Sequence, residues 1–256
     1  MFLSVPAVPE TAAAHVLASP STEFRYVGSE LDIFAEAVNW KTYWSERIGR
    51  YICGDVLEVG AGIGANTPYL TCAAATRWVC LEPDRELIEQ LRANVGESSN
   101  GVRHEVMCGT LASLGENERF DTLLYIDVLE HIEDDAGELR RIAEHLRPGG
   151  RLVVLSPAHQ WLFAPFDAAI GHFRRYNKRS LRRLTPATMQ LESLFYLDCC
   201  GIAASAANRV LLSQSMPTRE QIRLWDRRII PASRWIDPFL RFSVGKTIVG
   251  VWRKGR

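Results

Sequence analysis

No uninterrupted apolar run in the 256 residues approaches the about 18 that a membrane-crossing helix needs, so no transmembrane span is expected. The opening stretch MFLSVPAVPETAAAHVL lacks a basic n-region, and Pro6 and Pro9 interrupt its apolar residues, so it reads as a poor signal peptide. None of the six cysteines (Cys53, Cys72, Cys80, Cys108, Cys199, Cys200) falls in a CxxC or Cys/His ligand spacing, so no metal site is expected. Cys80 sits inside the apolar run WVCLEP, where cysteine behaves as a small hydrophobe, and a reducing, cytoplasmic setting fits. Thirty basic residues balance thirty acidic ones, and the missing basic excess argues against a nucleic-acid substrate. The balance is uneven, however. From His172 onward 17 Lys/Arg face 5 Asp/Glu, a surplus of 12, so the first 171 residues carry the opposite excess. Either the two parts neutralise each other across a fold, or the C-terminal part meets something anionic.

What is present is alternation. Residues 1–28 form a proline-interrupted arm with no clear period, expected to be flexible, and a single domain is expected over 29–256. SELDIFAEAVNWKTYWSERI (29–48) reads as one helix, with Ser29 and Asp32 as its capping pair and Leu31, Phe34, Val38 and Trp44 at helical spacing. Strand-like runs follow at 55–59, 77–83, 103–108, 120–127 and 151–156, with amphipathic helical segments at 84–95 and 135–146. Strands alternating with helices predict a parallel sheet covered on both faces. Two more strands are expected at 189–200 and 246–252, separated by an insertion (201–244) with helical stretches AASAANRVLL and TREQIRLWDRRII. A connection that long is expected to build a cap, since a hairpin needs only about 2–5 residues.

The segment VLEVGAGIGANT (56–67) carries the chemistry. A strand that runs into closely spaced glycines and then a helix brings bare backbone beside a ligand. Gly60, Gly62 and Ala65 also satisfy the G-x-G-x-x-G/A dinucleotide pattern. Glu58 argues against that reading: a carboxylate there repels a pyrophosphate and suits an ammonium or sulfonium group. Glu82 ends the second strand 18 residues after Gly64, where an acid accepts hydrogen bonds from ribose hydroxyls.

LEVGAGIG, the acid in LEPD, FDTLLYIDVLEHIEDD and LRPGGRLVVLSP, in this order, resemble class I S-adenosylmethionine-dependent methyltransferases. The chain is most similar to the small-molecule branch that includes the ubiquinone-type O-methyltransferases. The resemblance implies an α/β, Rossmann-like, doubly wound sheet of seven mostly parallel strands with an antiparallel final strand. An N-terminal helical lid and a helical insertion between the last two strands complete that expectation. It implies S-adenosyl-L-methionine as cofactor and S-adenosyl-L-homocysteine as product. Carried over by position, Gly60, Ala61 and Gly62 face the methionine part, Glu82 the ribose and Pro83 the adenine. The Gly-Asp-Ala that many relatives carry after strand three is replaced by Cys108-Gly109-Thr110-Leu111, so a backbone N–H near Thr110 or Leu111 takes over the adenine contact. Asp127 and Val128 flank the methionine or the methyl group, and Lys41, Tyr43 and Trp44 of the lid are weaker candidates.

For the acceptor, His131 follows Asp127 by four residues, where the ubiquinone-type relatives place a substrate-side histidine, and is expected to act as base or orienting group. The loop after strand five begins at the rim where ligands bind open parallel sheets. It supplies His159 and His172 as further catalytic candidates, and Trp161, Arg174, Arg175 and Tyr176 as substrate contacts. The competing reading is an internal clamp in which an arginine pairs Asp167. Ile126-Asp127-Val128-Leu129 lacks the Asn/Asp-Pro-Pro-aromatic signature of adenine and glutamine N-methylation, and no Cys follows a Pro as cytosine C5 methylation needs. The expectation is O-methylation of a small, partly apolar, hydroxylated or acidic metabolite of secondary or quinone-like biosynthesis. Alternatives are C- or N-methylation, a lipid-linked substrate met as a peripheral membrane enzyme through 201–244, dimerisation through the same aromatics, or non-catalytic cofactor binding.

Overall fold

Val56, Leu57 and Val59 are apolar and buried on both sides of the chain, which is the pattern of a central parallel strand, here β1 (Gly54–Val59). In the computed structural model, which describes residues 24–28, 30–72, 74–96, 98–99, 101–207 and 216–255, β1 lies inside one sheet. The other strands are β2 (Ala75–Glu82), β3 (Ser98–Ser99), β4 (Val102–Cys108), β5 (Phe120–Ile126), β6 (Leu146–Pro157), β7 (Met189–Leu197) and β8 (Thr247–Lys254). Their order is β3-β4-β2-β1-β5-β6-β8-β7. The last strand in sequence, β8, runs antiparallel to both β6 and β7, and the two-residue β3 adds an antiparallel edge to the seven-stranded core. The seven-stranded, mostly parallel α/β architecture with its antiparallel final strand is therefore the one observed. Strand order reverses between β1 and β5, and the crevice at their carboxyl ends is where such sheets bind ligands.

Aromatic residues fill both layers of the core. Trp44, Ile48 and Trp78 pack on one face of the sheet, and Phe120, Tyr125, Leu139 and Trp252 on the other. Helices α4 (Arg85–Val95) and α5 (Asp135–His145) begin where Asp84 and Asp134 accept from the amides of Glu86 and Gly137, the side-chain cap that an exposed helix N-terminus needs.

The helix expected over 29–48 is two helices, α1 (Leu31–Ala35) and α2 (Val38–Ile48). Ala37 breaks the helical run with ψ 70°, and Lys41 Nζ caps the end of α1 by donating to the carbonyls of Phe34 and Ala35 at 2.6 and 2.8 Å. The strand expected over 189–200 ends at Leu197. Asp198 takes the left-handed region (φ 63°) and its carboxylate accepts from Gly201 N, so Cys199 opens a helix, α8 (Cys199–Ala207), instead. Most of the N-terminal arm, Ser29, and the stretch 208–215 of the insertion lie outside the described residues.

The short α3 (Thr67–Leu70) follows the glycine turn, and α6 (Pro165–Ala169) and α7 (Lys178–Arg183) lie between β6 and β7. The insertion continues as α9 (Arg219–Leu224), a wide π-helical turn over Trp225–Ile229, and α10 (Ile230–Ile236). Three buried aspartates pin it down. Asp226 accepts from the amides of Asn39 and Trp40 at the start of α2. Asp237 accepts from Tyr43 Oη and from Asp198 N, and Asp198 accepts from Trp225 Nε1 and Ser233 Oγ. Buried carboxylates of this kind persist because several donors replace the lost water.

Candidate active site

Two positions of the glycine turn show why no other residue serves. A Cβ on Gly60 (φ 66°) would lie 2.6 Å from a Val128 methyl, and one on Gly64 (φ 75°) would lie 2.8 Å from Leu91 of α4. The turn therefore packs tightly against the segment after β5 on one side and a helix on the other. The amides of Gly60 and Ala61 donate to Leu81 O, and Gly62 N donates to Glu82 Oε2 at 2.8 Å. The other oxygen of Glu82 accepts from Asp84 N, and burial raises the pKa of this carboxyl. Gly109 N donates to Glu82 O, which brings the Cys108–Leu111 turn beside the same strand end. Thr110 is exposed there, with its own N–H donated to Ser113 Oγ, while Leu111 is buried.

Glu58 does not face this crevice as a free carboxylate. It is 2% exposed, and its Oε2 accepts from Thr67 Oγ1 and Trp78 Nε1 at 2.8 and 2.9 Å. Burial pushes its pKa up to about 7. The charge-repulsion argument for Glu58 is thus corrected: its visible work is to hold α3 and β2 behind the glycine turn. Lys41, Tyr43 and Trp44 are likewise buried and committed to packing and internal hydrogen bonds.

Asp127 sits at the carboxyl end of β5 with φ 54°. Water reaches it, yet protein surrounds it, and that desolvation pushes its pKa up to about 7; nearby Lys246 opposes the shift and Glu30 adds to it. Next to Asp127, Glu130 is fully buried, with Oε2 accepting from Ser156 Oγ at 2.9 Å and Oε1 without a partner. Burial first, and Asp127 second, hold the Glu130 pKa well above the carboxylate range.

The structure brings His131 and His172 together: their rings meet edge to face at 4.5 Å between centroids. Tyr26 packs edge-on to His131 at 5.7 Å and donates through its hydroxyl to Glu30, whose Oε2 is also buried without a partner. Burial and the neighbouring His172 lower the His131 pKa to about 4, so the ring is neutral near pH 7. Glu130, His131 and His172 offer ligand atoms within 4.8 Å of one another, a grouping that sequence spacing does not reveal and that has the size to hold a cation.

His159 is not part of this group. It stacks on Tyr196 at 4.9 Å, and its Nε2 lies 3.1 Å from Gly245 O. The proposed substrate contacts are mostly committed inside the fold. Asp167, fully buried, is gripped by Arg175 Nε and Nη2 at 2.8 Å each and by His172 Nδ1 at 2.9 Å. Arg174 pairs Asp135 at 2.7 Å, and Tyr176, 1% exposed, donates to Asp135 and Leu129 O. The clamp reading of the loop is the one observed, and the assignment of Arg174, Arg175 and Tyr176 to the substrate is corrected. Trp161 alone of the four is open, at 53% exposure. A surface hollow of about 400 Å³ between Leu111, Arg119, Arg141 and His145 flanks the start of β5 and the end of α5, away from Asp127.

Sequence reasoning missed Tyr26, Glu30, Ser156 and Lys246. Lys246 immediately precedes β8, whose antiparallel register sets Thr247 opposite Pro157, so the lysine reaches the carboxyl rim of the sheet. Its Nζ lies 3.9 Å from the Trp225 ring centroid and 3.6 Å from Asp198 Oδ2, and burial lowers its pKa. The one available signal was the antiparallel final strand, which brings its own first residue to that rim.

A doubly wound sheet with a glycine turn after β1, an acid ending β2 and an acid after β5 is the fold that solved methyltransferases share with this chain. Residues 57–154 match the family model of a methyltransferase domain. The matched segment makes the chain similar to S-adenosylmethionine-dependent methyltransferases, small-molecule ones among them. It is 30% identical over 128 residues to N-terminal Xaa-Pro-Lys N-methyltransferase 1 of Danio rerio, covering 49% of this chain and 57% of that one. It is 33% identical over 112 residues to the ubiquinone biosynthesis O-methyltransferase of Bradyrhizobium sp. (strain ORS 278), covering 41% of each. The chain thus spans about half the length of these curated relatives. Its fold is similar to that of the N-methyltransferase NodS of Bradyrhizobium japonicum in complex with S-adenosyl-L-homocysteine, with TM-score 0.54, 12% identity, and 86% and 89% of the two chains covered.

Proposed function

We propose that this chain transfers the methyl group of S-adenosylmethionine to an oxygen of a small, partly apolar molecule that carries a hydroxyl or acidic group. The observation that carries the reading is Asp127: an exposed carboxyl at the switch point of the sheet, with Val128 against Gly60 and His131, four residues on, meeting His172. In this reading Gly60, Ala61 and Gly62 line the methionine part. Glu82 exchanges its bond from Gly62 N for the ribose hydroxyls, and Pro83, Thr110 and Leu111 border the adenine. Asp127 and Val128 border the methyl end.

The cofactor supplies a methyl already activated on a sulfonium, so the protein's task is alignment and exclusion of water. A neutral His131 presents a ring nitrogen to an acceptor hydroxyl and orients it. Burial raises the Glu130 pKa and so favours its neutral form, which makes the acceptor side less negative than its acid content implies. Tyr26 covers His131 from the N-terminal segment. The similarity to a ubiquinone biosynthesis O-methyltransferase supports an oxygen acceptor.

The test is transfer from labelled S-adenosylmethionine to a panel of catechols, hydroxyquinols and primary amines. Label in the catechols or quinols is expected. Label only in amines, or in no acceptor with cofactor bound, contradicts the oxygen reading.

A further inference from the structure

We infer that the outer face of the α9–α10 helix is a docking surface for an anionic lipid bilayer. Leu224, Arg228, Pro231, Trp235 and Phe239 succeed one another at spacings of three or four residues and are all exposed. Trp235 and Phe239 are 69% and 73% exposed and pack on each other at 5.1 Å. The opposite stripe, Ile222, Trp225, Asp226, Ile230, Ser233 and Asp237, is buried. The exposed apolar residues are therefore extra to those that hold the helix to the protein, and water solvates them poorly.

The turn that follows is built to project them. Arg241 and Phe242 both adopt left-handed backbone (φ 49° and 54°). Phe242 N donates to Asp237 O, and its ring turns inward against Phe195, leaving Phe239, Leu240 and Arg241 outside.

Charge selects the occupant. The helix and turn carry Arg219, Arg223, Arg227, Arg228, Arg234 and Arg241, whereas Asp226 and Asp237 are buried and Glu220 is the one exposed acid between residues 216 and 245. Arg219 and Arg223 pair Glu36, and Arg234 pairs Glu46. Arg227, Arg228 and Arg241 have no acidic partner among the described residues and are exposed on the same helix and the turn that follows it. A second copy docked here would set arginines against arginines. A handful of side chains also falls well short of the roughly 800 Å² per partner that a stable dimer needs. An exposed apolar stripe on a helix that also carries arginines without acidic partners instead matches the headgroup region of an anionic bilayer. The inner face of the same helix carries Trp225, which touches Lys246 beside the candidate site, so the bilayer would lie on the far side of one helix from that site.

The experiment is flotation of the full chain with vesicles of phosphatidylcholine alone or mixed with phosphatidylglycerol. Binding to the mixed vesicles, weakened by salt, is expected. Trp235→Ala/Phe239→Ala should weaken partitioning by about tenfold or more, and Arg227→Glu/Arg228→Glu by at least about fivefold per charge lost. Circular dichroism melting and S-adenosylhomocysteine binding of both variants should match the parent, which separates this inference from the methyl-transfer reading. Absence of flotation with mixed vesicles, or flotation unchanged in both variants, overturns it. So does a lipid-free dimer by light scattering that Trp235→Ala/Phe239→Ala dissolves, which would make the exposed stripe an interface between copies.

Discussion

The imidazole of His131, in the turn after β5, meets that of His172, in the loop after β6, edge to face with 4.5 Å between ring centroids. The contact is fixed from both sides. Gly171 and Tyr26 lie against His131, and the buried Asp167 holds His172 Nδ1 at 2.9 Å. A loop that looks irregular in sequence thus acts as a rigid wall of the candidate site.

That rigidity has a measurable source in Asp167. Its two oxygens accept from Arg175, His172 and Ala164 N, and these partners hold its pKa below the usual carboxylate range although burial opposes them. Asp167→Ala leaves Arg175 buried and unpaired and should cost about 3–5 kcal/mol by urea unfolding. Asp167→Asn, which keeps the shape, should cost less. Because the folded pKa is depressed, the stabilisation is present above the unfolded value near 3.8 and fades as pH falls through the folded one.

His131 titrates with the opposite consequence. Its pKa falls from 6.5 to about 4 on folding, so the unfolded chain binds the proton more tightly. Its effect is absent above about pH 6.5 and becomes a destabilisation of up to about 3 kcal/mol as pH falls toward 4. Asp127, raised to about 7, contributes with the opposite sign over an overlapping range, so the parent's own profile mixes the two. The difference between His131→Gln and the parent isolates the histidine. Urea midpoints at about pH 5 and pH 7.5 should show the variant gaining relative stability at the lower pH.

Much of this fold was legible because β1, β2, β5 and β6 carry short apolar runs bounded by turn residues. The glycine turn, moreover, announces a close approach that Gly60 and Val128 make concrete. What sequence could not supply was direction. Arg174, Arg175 and Tyr176 have the composition of a ligand-binding loop, but Asp135 and Asp167 lie inside the fold and draw all three inward. Tyr26 and Lys246 are brought to the site by the N-terminal segment and an antiparallel strand, contacts too distant in sequence for local pattern to reveal. Cys199 begins a helix rather than ending a strand because Asp198 reverses the chain and caps it.

Gly60→Ala probes the tight turn itself. The added methyl would press on Val128 and the backbone would be held at an unfavourable positive φ, at a strain of about 1–3 kcal/mol. Far-UV circular dichroism should be unchanged, while affinity for S-adenosylhomocysteine falls at least about tenfold in a calorimetric titration.

Asp237→Ala tests how the cap is held. It strips Tyr43 Oη, Asp198 N and Cys199 N of their acceptor, each buried or nearly so. At about 1–3 kcal/mol for each donor left unsatisfied, a drop of several degrees or more in melting temperature is expected, where exposed Trp235→Ala leaves it unchanged.

The most direct test of the account is a calorimetric titration of S-adenosylhomocysteine into the parent and into Glu82→Ala, the acid that ends β2 with its oxygens on Gly62 N and Asp84 N. One site per chain is expected in the parent, with binding weakened by about two orders of magnitude or more in the variant, as loss of a buried hydrogen-bonded carboxylate implies. No binding to the parent, or equal affinity in both proteins, would contradict the placement of the cofactor in this crevice.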